Sequence, residues 1–263
     1  MKYYQPEFNR IICCAHSEIS ADVWDKSWNN YDIPKEMRNN LNDRLILKTT
    51  SKYLPKGSII LDGGCGLGTK VNCLKHHGYK AMGIDYAINT LNRSKKSVPE
   101  LDLHMGSITD LPYKSGSLDG YWSLGVIEHF WEGYNDAIIE MNRCLKKGGY
   151  LFLTFPSLSL LRKLKIKIGC YSLERGRPES FHQFLLNPTQ VRRDFEKADF
   201  VCLQESGLDG MKGLKDEVPF LQPILQKIYN GTSFISRCTS YGISQVFQGV
   251  SRHATLQVYQ KKR

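Results

Sequence analysis

The sequence predicts a doubly wound α/β fold, in which helices cover both faces of a parallel sheet. Three observations support this prediction. From about residue 39, short apolar strands alternate with segments of helical periodicity, which is typical of a parallel sheet. The first of these strands leads directly into a loop that is rich in glycine. The length of 263 residues, set against roughly 150 for an average domain, predicts one domain over residues 1–263 that carries insertions.

Turn and cap signals bound the predicted elements. The first helix ends at Leu54–Gly57, Gly78 caps the helix that ends at His77, and Asn187 and Pro188 begin the last helix. The predicted strands are Ser58–Asp62, Tyr79–Asp85, Leu101–Met105, Leu118–Ser123, Tyr150–Phe155, Phe200–Gln204 and Thr255–Gln260. Besides the short helix that ends at His77, the predicted helices are Glu36–Tyr53, Ile88–Ser97, Trp131–Leu145 and Pro188–Ala198.

Three segments fall outside the alternation, namely residues 1–35, 157–186 and 208–251. We interpret 1–35 as an N-terminal cap on a core that covers 36–156. In an open α/β sheet, ligands bind beyond the carboxyl ends of the strands. Because 157–186 and 208–251 each begin where a predicted strand ends, we expect both insertions to cover that edge and to select the substrate.

Composition and charge narrow the class of protein. Hydrophobic residues make up 41% of the chain and charged residues 24%, which indicates a globular protein rather than a disordered one. No apolar stretch approaches the roughly 18–20 residues of a membrane-spanning helix, and no apolar signal sequence follows Met1, so we expect a cytoplasmic protein. The net charge is +10, and residues 155–263 carry +8 of it, which favours an anionic partner.

The strongest chemical signal is the loop Asp62–Gly68, with the sequence Asp-Gly-Gly-Cys-Gly-Leu-Gly. Glycine lets the backbone turn sharply and approach a ligand closely. Asp85 ends the next strand, where a carboxylate can accept hydrogen bonds from both hydroxyls of a ribose. This pairing occurs in enzymes that use NAD and in those that use S-adenosyl-L-methionine (SAM). Asp62 favours SAM, because an acid at this turn suits a cationic ligand and repels a pyrophosphate.

Two further motifs follow in order, Gly106–Tyr113 and Ser117–Phe130. With them the sequence resembles the class I SAM-dependent methyltransferases, in particular the broad small-molecule and lipid methyltransferase group with D-x-G-x-G-x-G and EH motifs. The resemblance covers residues 40–156 and the last strand. It implies a Rossmann-like sheet of seven mostly parallel strands with an antiparallel last strand. It also implies S-adenosyl-L-methionine as the cofactor and S-adenosyl-L-homocysteine as the product.

The resemblance further implies which residues bind the cofactor. Those around the methionine and ribose would be Asp62, Gly63, Gly64, Gly66, Gly68 and Leu124. Asp85 would hold the ribose hydroxyls, and Tyr86 would lie against the adenine. Ser107 and Ile108 occupy the place where family members bracket the adenine, although many members have an Asp at the position of Ser107.

Methyl transfer requires alignment of donor and nucleophile, and an acidic hydroxyl or amine acceptor also requires a proton acceptor. The candidate bases are His129, just past the fourth strand, and His253, at the start of the last strand. A packing role is the alternative for His129. His182 is a third candidate base, but we expect it to be a substrate or structural contact. Trp24 and Trp28 either cover the cofactor or pack an N-terminal helix on the core.

The acceptor is expected to be a small or lipid-linked molecule that is methylated at oxygen. No metal is expected. Glu128 and His129 match the end of a Glu-x-x-Glu-His metal-binding run, but Gly125 stands where that run has its first carboxylate. Nucleic acid is a weaker alternative, since Trp122–Gly125 stands where enzymes acting on exocyclic amines have an Asn/Asp-Pro-Pro-aromatic run. A SAM-binding interaction protein without catalysis is the alternative from a different class.

The segment Leu158–Ile168 interleaves aliphatic residues with four cations, Arg162, Lys163, Lys165 and Lys167. One interpretation is a lid helix with a solvated cationic face. The other is a segment that contacts an anionic membrane surface or a lipid-linked substrate. In the second case the cytoplasmic protein would also be peripheral to the membrane.

Overall fold

The computed structural model describes residues 1–15 and 20–262. The strands are β1 (Lys2–Gln5), β2 (Arg10–Cys14), β3 (Ile59–Gly63), β4 (Lys80–Asp85), β5 (Leu103–Met105), β6 (Leu118–Leu124), β7 (Leu145–Pro156), β8 (Ser172–Leu173), β9 (Phe181–Leu185), β10 (Phe200–Leu208) and β11 (Ala254–Lys261). The helices are α1 (Ala21–Trp28), α2 (Ile33–Asn40), α3 (Arg44–Tyr53), α4 (Thr69–His76), α5 (Ile88–Ser97), α6 (Asn135–Cys144), α7 (Leu160–Lys167), α8 (Pro188–Lys197), α9 (Gly210–Glu217), α10 (Gln222–Tyr229) and α11 (Phe234–Ser251).

The central sheet has seven strands in the order β10-β11-β7-β6-β3-β4-β5. All neighbours pair in parallel except β11, which is antiparallel to both β7 and β10. The predicted mostly parallel α/β sheet with an antiparallel last strand is therefore confirmed. The chain runs outward from β3 through β4 to β5 and then returns to β6 on the other side of β3. The strand order thus reverses between β3 and β6, and ligands bind at such reversal points.

Apolar side chains fill both faces of this sheet. Trp122 on β6 is fully buried and stacks on Phe152 of β7 with ring centroids 4.6 Å apart. Its indole Nε1 donates a hydrogen bond of 3.0 Å to Oγ1 of Thr50 on α3, so the one polar atom of the ring is satisfied inside the core. This contact fixes α3 on the sheet directly behind the ends of β3 and β6.

Several predicted boundaries differ from the structure, among them the following three. The helix predicted over 36–53 is divided into α2 and α3, because the Asp43 carboxylate accepts hydrogen bonds from the backbone N–H groups of Leu45 and Ile46 and begins a new helix. The helix predicted from Trp131 begins at Asn135, since Gly133 adopts a φ of 101°. The stretch 146–149 continues into β7 rather than only ending the helix.

A second, smaller sheet joins two segments that lie far apart in the sequence. Its order is β8-β1-β2-β9, so strands of the predicted N-terminal cap pair with strands of the 157–186 insertion. Ile11 and Ile12 on β2 are fully buried beneath it. This sheet was not predicted, because its strands are two to five residues long and the partners that β8 and β9 find in β1 and β2 lie far away in the chain.

The cationic face predicted for 158–168 is only partly present. Arg162 is buried and forms an ion pair with Glu217 on α9, and Lys165 pairs with the same carboxylate. Lys163 and Lys167 remain exposed. None of the described helices combines the length and the apolar character needed to cross a bilayer.

Candidate active site

The glycine loop links β3 to α4 at the point where the strand order reverses. Gly64, Gly66 and Gly68 have φ angles of 80°, 50° and 77°, in the left-handed region that glycine adopts without strain. A Cβ atom at Gly64 would lie 2.6 Å from Val126 Cγ2, so the loop has no room for a side chain there. The loop therefore exposes backbone, rather than side chains, to whatever binds at the ends of β3 and β4.

Two adjoining cavities open on this loop. The first has a volume of about 280 Å³ and is mostly aromatic and apolar, with walls that include Trp24, Trp28, Tyr86, Val126, His129 and Phe130. The second has a volume of about 260 Å³ and is more polar, with walls that include Glu36, Asn40, Asp62 and Lys70. Both cavities are lined by Trp28, Gly64, Gly66 and Leu124. Together they offer one apolar and one polar compartment on the two sides of the loop.

Asp85 is held rigidly at the end of β4. Its Oδ2 accepts a hydrogen bond of 2.8 Å from the backbone N–H of Gly66, and its Oδ1 accepts one of 2.9 Å from Ala87 N–H. Each carboxylate oxygen has a further lone pair. The side chain can therefore accept two more hydrogen bonds from a pair of hydroxyls in the first cavity.

Asp62 is buried at the end of β3, and its Oδ1 has no hydrogen-bond partner among the described residues. Burial, which Lys70 opposes and Asp85 reinforces, raises the pKa of this carboxyl to about 7. An unpaired buried carboxylate is unfavourable unless a ligand supplies the missing donor. Asp62 lines the second cavity, so a cationic group such as an amino acid ammonium fits there.

Trp24 and His129 lie on one wall of the first cavity, and His182 contacts both of them without lining either cavity. The Trp24 and His129 rings are 5.0 Å apart and edge to face, and the two imidazoles are 5.3 Å apart. Nδ1 of His129 lies 2.8 Å from the carbonyl oxygen of His182. Because a carbonyl only accepts, Nδ1 carries the hydrogen and Nε2 is left with a free lone pair. Burial lowers the pKa of His129 to about 4, so this imidazole is neutral near pH 7.

Comparison with known proteins agrees with this geometry. Residues 61–153 match the family model described as a methyltransferase domain. A probable SAM-dependent methyltransferase of Mycolicibacterium smegmatis is 28% identical over 61% of this chain and 58% of that protein. The ubiquinone biosynthesis O-methyltransferase of Xanthomonas axonopodis pv. citri is 25% identical over 78% of this chain and 84% of that protein. The chain spans about half the length of the first curated relatives it matches.

A solved structure shows the same fold. Phosphoethanolamine N-methyltransferase 2 of Haemonchus contortus, in complex with S-adenosyl-L-methionine, superimposes with a TM-score of 0.54 at 16% identity, over 93% of this chain and 60% of that chain. Residues 61–153 thus match a methyltransferase domain, and the chain has the fold of class I SAM-dependent methyltransferases. They are enzymes whose cofactor is SAM, and the unpaired carboxylate of Asp62 fits that cationic molecule.

Hydrogen bonds to α5 fix helix α1 over the cavities. Oδ1 of Asp25 on α1 accepts hydrogen bonds from the backbone N–H and the hydroxyl of Thr90 on α5, at 2.8 and 2.7 Å, and Oδ2 accepts one from the Asn89 amide. The Trp28 ring then lies against the glycine loop, 3.1 Å from where a Cβ of Gly66 would be. Trp24 and Trp28 therefore line the cavity as well as pack the helix. The sequence analysis missed Asp25, because no local motif marks it.

Some predicted site residues do not line the cavities. Ser107 is exposed and hydrogen-bonded to Thr109, and Ile108 is buried in the core. His253 lies at the expected edge of the sheet, but β11 is two strands from β6, a distance of about 10 Å. There Nε2 of His253 lies 2.9 Å from Nζ of Lys212. Gly63 and Gly68 support the loop without lining either cavity.

The 208–251 insertion also differs from expectation. No residue of this insertion lines either cavity among those the structure describes. No described residue of 157–186 lines either cavity, and Trp24 and Trp28 of α1 line the first one. Within 1–15 and 20–262, no three histidine, cysteine, aspartate or glutamate side chains lie close enough together to hold a metal ion.

Proposed function

We propose that this protein transfers the methyl group of SAM to an oxygen of a small or lipid-linked acceptor that binds beside His129, next to the part of the first cavity that the ribose and adenine of SAM occupy. The observation that carries this proposal is the position of His129, which lines the first cavity while the His182 carbonyl holds its Nδ1. A hydroxyl acceptor must lose a proton as it is methylated, and a positioned imidazole can take it.

SAM supplies an already activated methyl group. The protein must therefore mainly bind SAM and the acceptor, orient them, and keep water away from the reacting atoms. In this proposal Asp62 accepts a hydrogen bond from the amino group of SAM, and Asp85 accepts those of the ribose hydroxyls. Gly64 and Gly66 let the backbone approach the cofactor, and Tyr86 covers the adenine. Leu124 at the end of β6 lies beside both compartments, where the methionine portion would pass.

The shape of the first cavity supports a small or lipid-linked acceptor over a nucleic acid. Its walls are mainly aromatic and aliphatic, and helix α1 closes one side.

Turnover assays with labelled SAM against phenols, carboxylic acids and isoprenoid-linked phenols test the proposal. We expect His129→Asn to lower kcat by about 10²- to 10⁴-fold while SAM affinity measured by calorimetry stays unchanged. The matched variant is His253→Asn, at the other candidate base, which should retain nearly full turnover because it lies outside the cavity. Full activity of His129→Asn would exclude His129 as the base.

The same assays separate the alternatives. A protein that binds SAM but methylates nothing in the panel, and also methylates no RNA, would fit the interaction protein of the alternative hypothesis. Methylation of RNA with no activity on small acceptors would contradict the proposed acceptor class.

A further inference from the structure

Helix α11 has its large apolar side chains on the outside of the molecule. Phe234 is 81% exposed, Ile235 76%, Val246 74% and Tyr241 64%. Ile235, Val246 and Val250 lie on one side of the helix. They are separated by 11 and four positions, and both intervals are close to whole helical turns. Among the 18 residues of this helix, Arg237 is the only charged one. A surface helix of a protein in water normally has the opposite arrangement.

Four serines lie on the inward face of α11. Ser236, Ser240 and Ser244 are half-buried, as are Ile243 and Gln248, and Ser251 is buried. This face packs against α9, where glycines allow the two backbones to come close together. A Cβ atom on Gly210 would lie 2.6 Å from the carbonyl oxygen of Ser244.

The Ser251 hydroxyl donates a hydrogen bond of 2.7 Å to the carbonyl oxygen of Gly210. Packing through small residues, with large apolar side chains facing outward, is the arrangement that helices adopt when lipid is their solvent. The helix pair α9 and α11 therefore has the side-chain distribution of a lipid-facing unit.

A second apolar stripe lies on the neighbouring helix α7, which contacts α11. Leu160, Leu164 and Ile168 are all exposed and follow one another at intervals of four residues, so they lie along one face. Lys163 and Lys167 are exposed beside them. We call the exposed apolar residues of α7 and α11, with these lysines and Arg237, the α7–α11 surface.

The charges around this surface have one sign. Residues 218–263 contain no aspartate or glutamate, and neither do residues 157–173. The exposed cations Lys227 and Arg237 lie on α10 and α11. A second copy of the chain would bring two carboxylate-free cationic surfaces together, which like-charge repulsion disfavours. An anionic lipid headgroup supplies the missing negative charge, and the acyl region accepts the apolar side chains.

We propose that the α7–α11 surface docks the protein on bilayers that contain anionic lipid, with α11 lying in the plane of the interface. The described helices do not cross a bilayer, so this attachment is peripheral and reversible. The inference is independent of methyl transfer, because it rests on residues that line neither cavity. It replaces the four-cation segment of the sequence analysis, since Arg162 and Lys165 are engaged by Glu217.

Vesicle co-sedimentation tests the proposal with the full chain and two lipid compositions, phosphatidylcholine alone and phosphatidylcholine mixed with phosphatidylglycerol. We expect wild-type protein to bind the mixed vesicles at low salt and to bind less at high salt. The double variant Phe234→Ser with Ile235→Ser should bind about 100-fold more weakly, because two large apolar side chains no longer enter the interface. Both residues are exposed, so the fold is not at risk, and SAM affinity measures its integrity.

Ile139→Ser is the matched control, because Ile139 on α6 is 61% exposed but lies outside the α7–α11 surface. It should bind vesicles as the wild type does. Equal binding of the double variant and the wild type would overturn the proposal, as would equal binding to vesicles without phosphatidylglycerol. A wild-type dimer that dissociates in the double variant, with no vesicle binding, would identify a second copy as the occupant and would also overturn it.

Discussion

Two buried carboxylates in this molecule have opposite environments. Asp62, beside the glycine loop, has an oxygen without a partner, and burial raises its pKa to about 7. Glu217, where β1, α7 and α9 meet, accepts hydrogen bonds from Lys2, Arg162, Lys165 and the Tyr171 hydroxyl. Burial alone would raise the pKa of Glu217 as well, but the charges of Arg162 and Lys2 and the hydrogen bond from Lys165 lower it to about 2.

The comparison shows how a structural charge differs from a binding charge. A buried ion that is satisfied on every side has nothing left to offer a ligand, and removing it leaves its partners unpaired. A buried carboxylate with a free oxygen weakens the unliganded fold and becomes favourable only when a donor arrives. Glu217 therefore joins the N-terminal strand to the two insertions, whereas Asp62 is the carboxylate that we propose for the cofactor.

The largest effect is expected from removing Glu217. The Glu217→Ala variant leaves the fully buried Arg162 without its carboxylate, which should lower the free energy of unfolding by about 3–5 kcal/mol. Urea denaturation followed by circular dichroism measures this loss. Calorimetry on the protein that remains folded should give an almost unchanged SAM affinity. A loss below 1 kcal/mol, or a SAM affinity that falls as far as the stability, would remove the contrast with Asp62.

The Asp62→Asn variant should behave in the opposite way. We expect SAM affinity to fall about 10- to 100-fold, because a charge-assisted hydrogen bond to the ammonium is lost. The free energy of unfolding of the unliganded protein at pH 8 should rise by about 1–3 kcal/mol, since the variant no longer holds a buried, partly unpaired charge. Calorimetric titration and urea denaturation measure the two quantities. An equal or lower stability at pH 8 would contradict the interpretation of Asp62 as a strained ligand site.

The glycine loop could be predicted well because its signal is local. The four-glycine run after a buried strand, followed by Asp85 at the end of the next strand, places both acids at one edge of the sheet through short-range geometry alone. The structure indeed brings Gly64, Gly66 and Asp85 together around the first cavity. His129 and Leu124 follow for the same reason, since they come at or just after the end of β6.

The ion cluster around Glu217 could not be predicted in this way. Lys2 and Glu217 are 215 residues apart in the chain, and Arg162 comes from a third segment. Nothing in the sequence around each residue indicates that the three meet, because their pairing depends on the small sheet formed by the cap and the first insertion. His253 was misplaced for a related reason, since the lateral order of the strands sets its distance from β6.

The pH dependence should differ between the two carboxylates. Asp62 must be ionised to pair with the ammonium, so SAM affinity should fall as pH drops below about 7, by up to about tenfold per pH unit. It should also fall above about pH 8, where a free amino group loses its proton. Calorimetric titrations from about pH 5.5 to about pH 8.5, in steps of about half a pH unit, measure how SAM affinity depends on pH. The acidic limb should disappear in Asp62→Asn and persist in Lys2→Ala.

Stability should respond to pH in separate windows. The pKa of Asp62 is raised above its ordinary 3.8, so its contribution favours folding at low pH and is lost as pH rises toward about 7. The pKa of Glu217 is lowered from its ordinary 4.5, so its contribution is present above pH 4.5 and is lost as pH falls toward about 2. Thermal unfolding of Asp62→Asn and wild type should therefore converge near pH 4, and a constant difference from pH 4 to 8 would contradict the assignment.

The smallest effect is expected from the outermost partner of Glu217. The Lys2 side chain is 30% exposed, whereas Arg162 and Glu217 are each 1% exposed in their side chains. Water can replace part of what the lysine supplies, so Lys2→Ala should lower the free energy of unfolding by less than about 1 kcal/mol. The remaining donors, Arg162, Lys165 and Tyr171, still neutralise and satisfy the carboxylate. A loss as large as that of Glu217→Ala would mean that the cluster depends on docking of the N-terminal strand rather than on the Arg162–Glu217 pair. Urea denaturation of Lys2→Ala, of Glu217→Ala and of the double variant distinguishes these two cases.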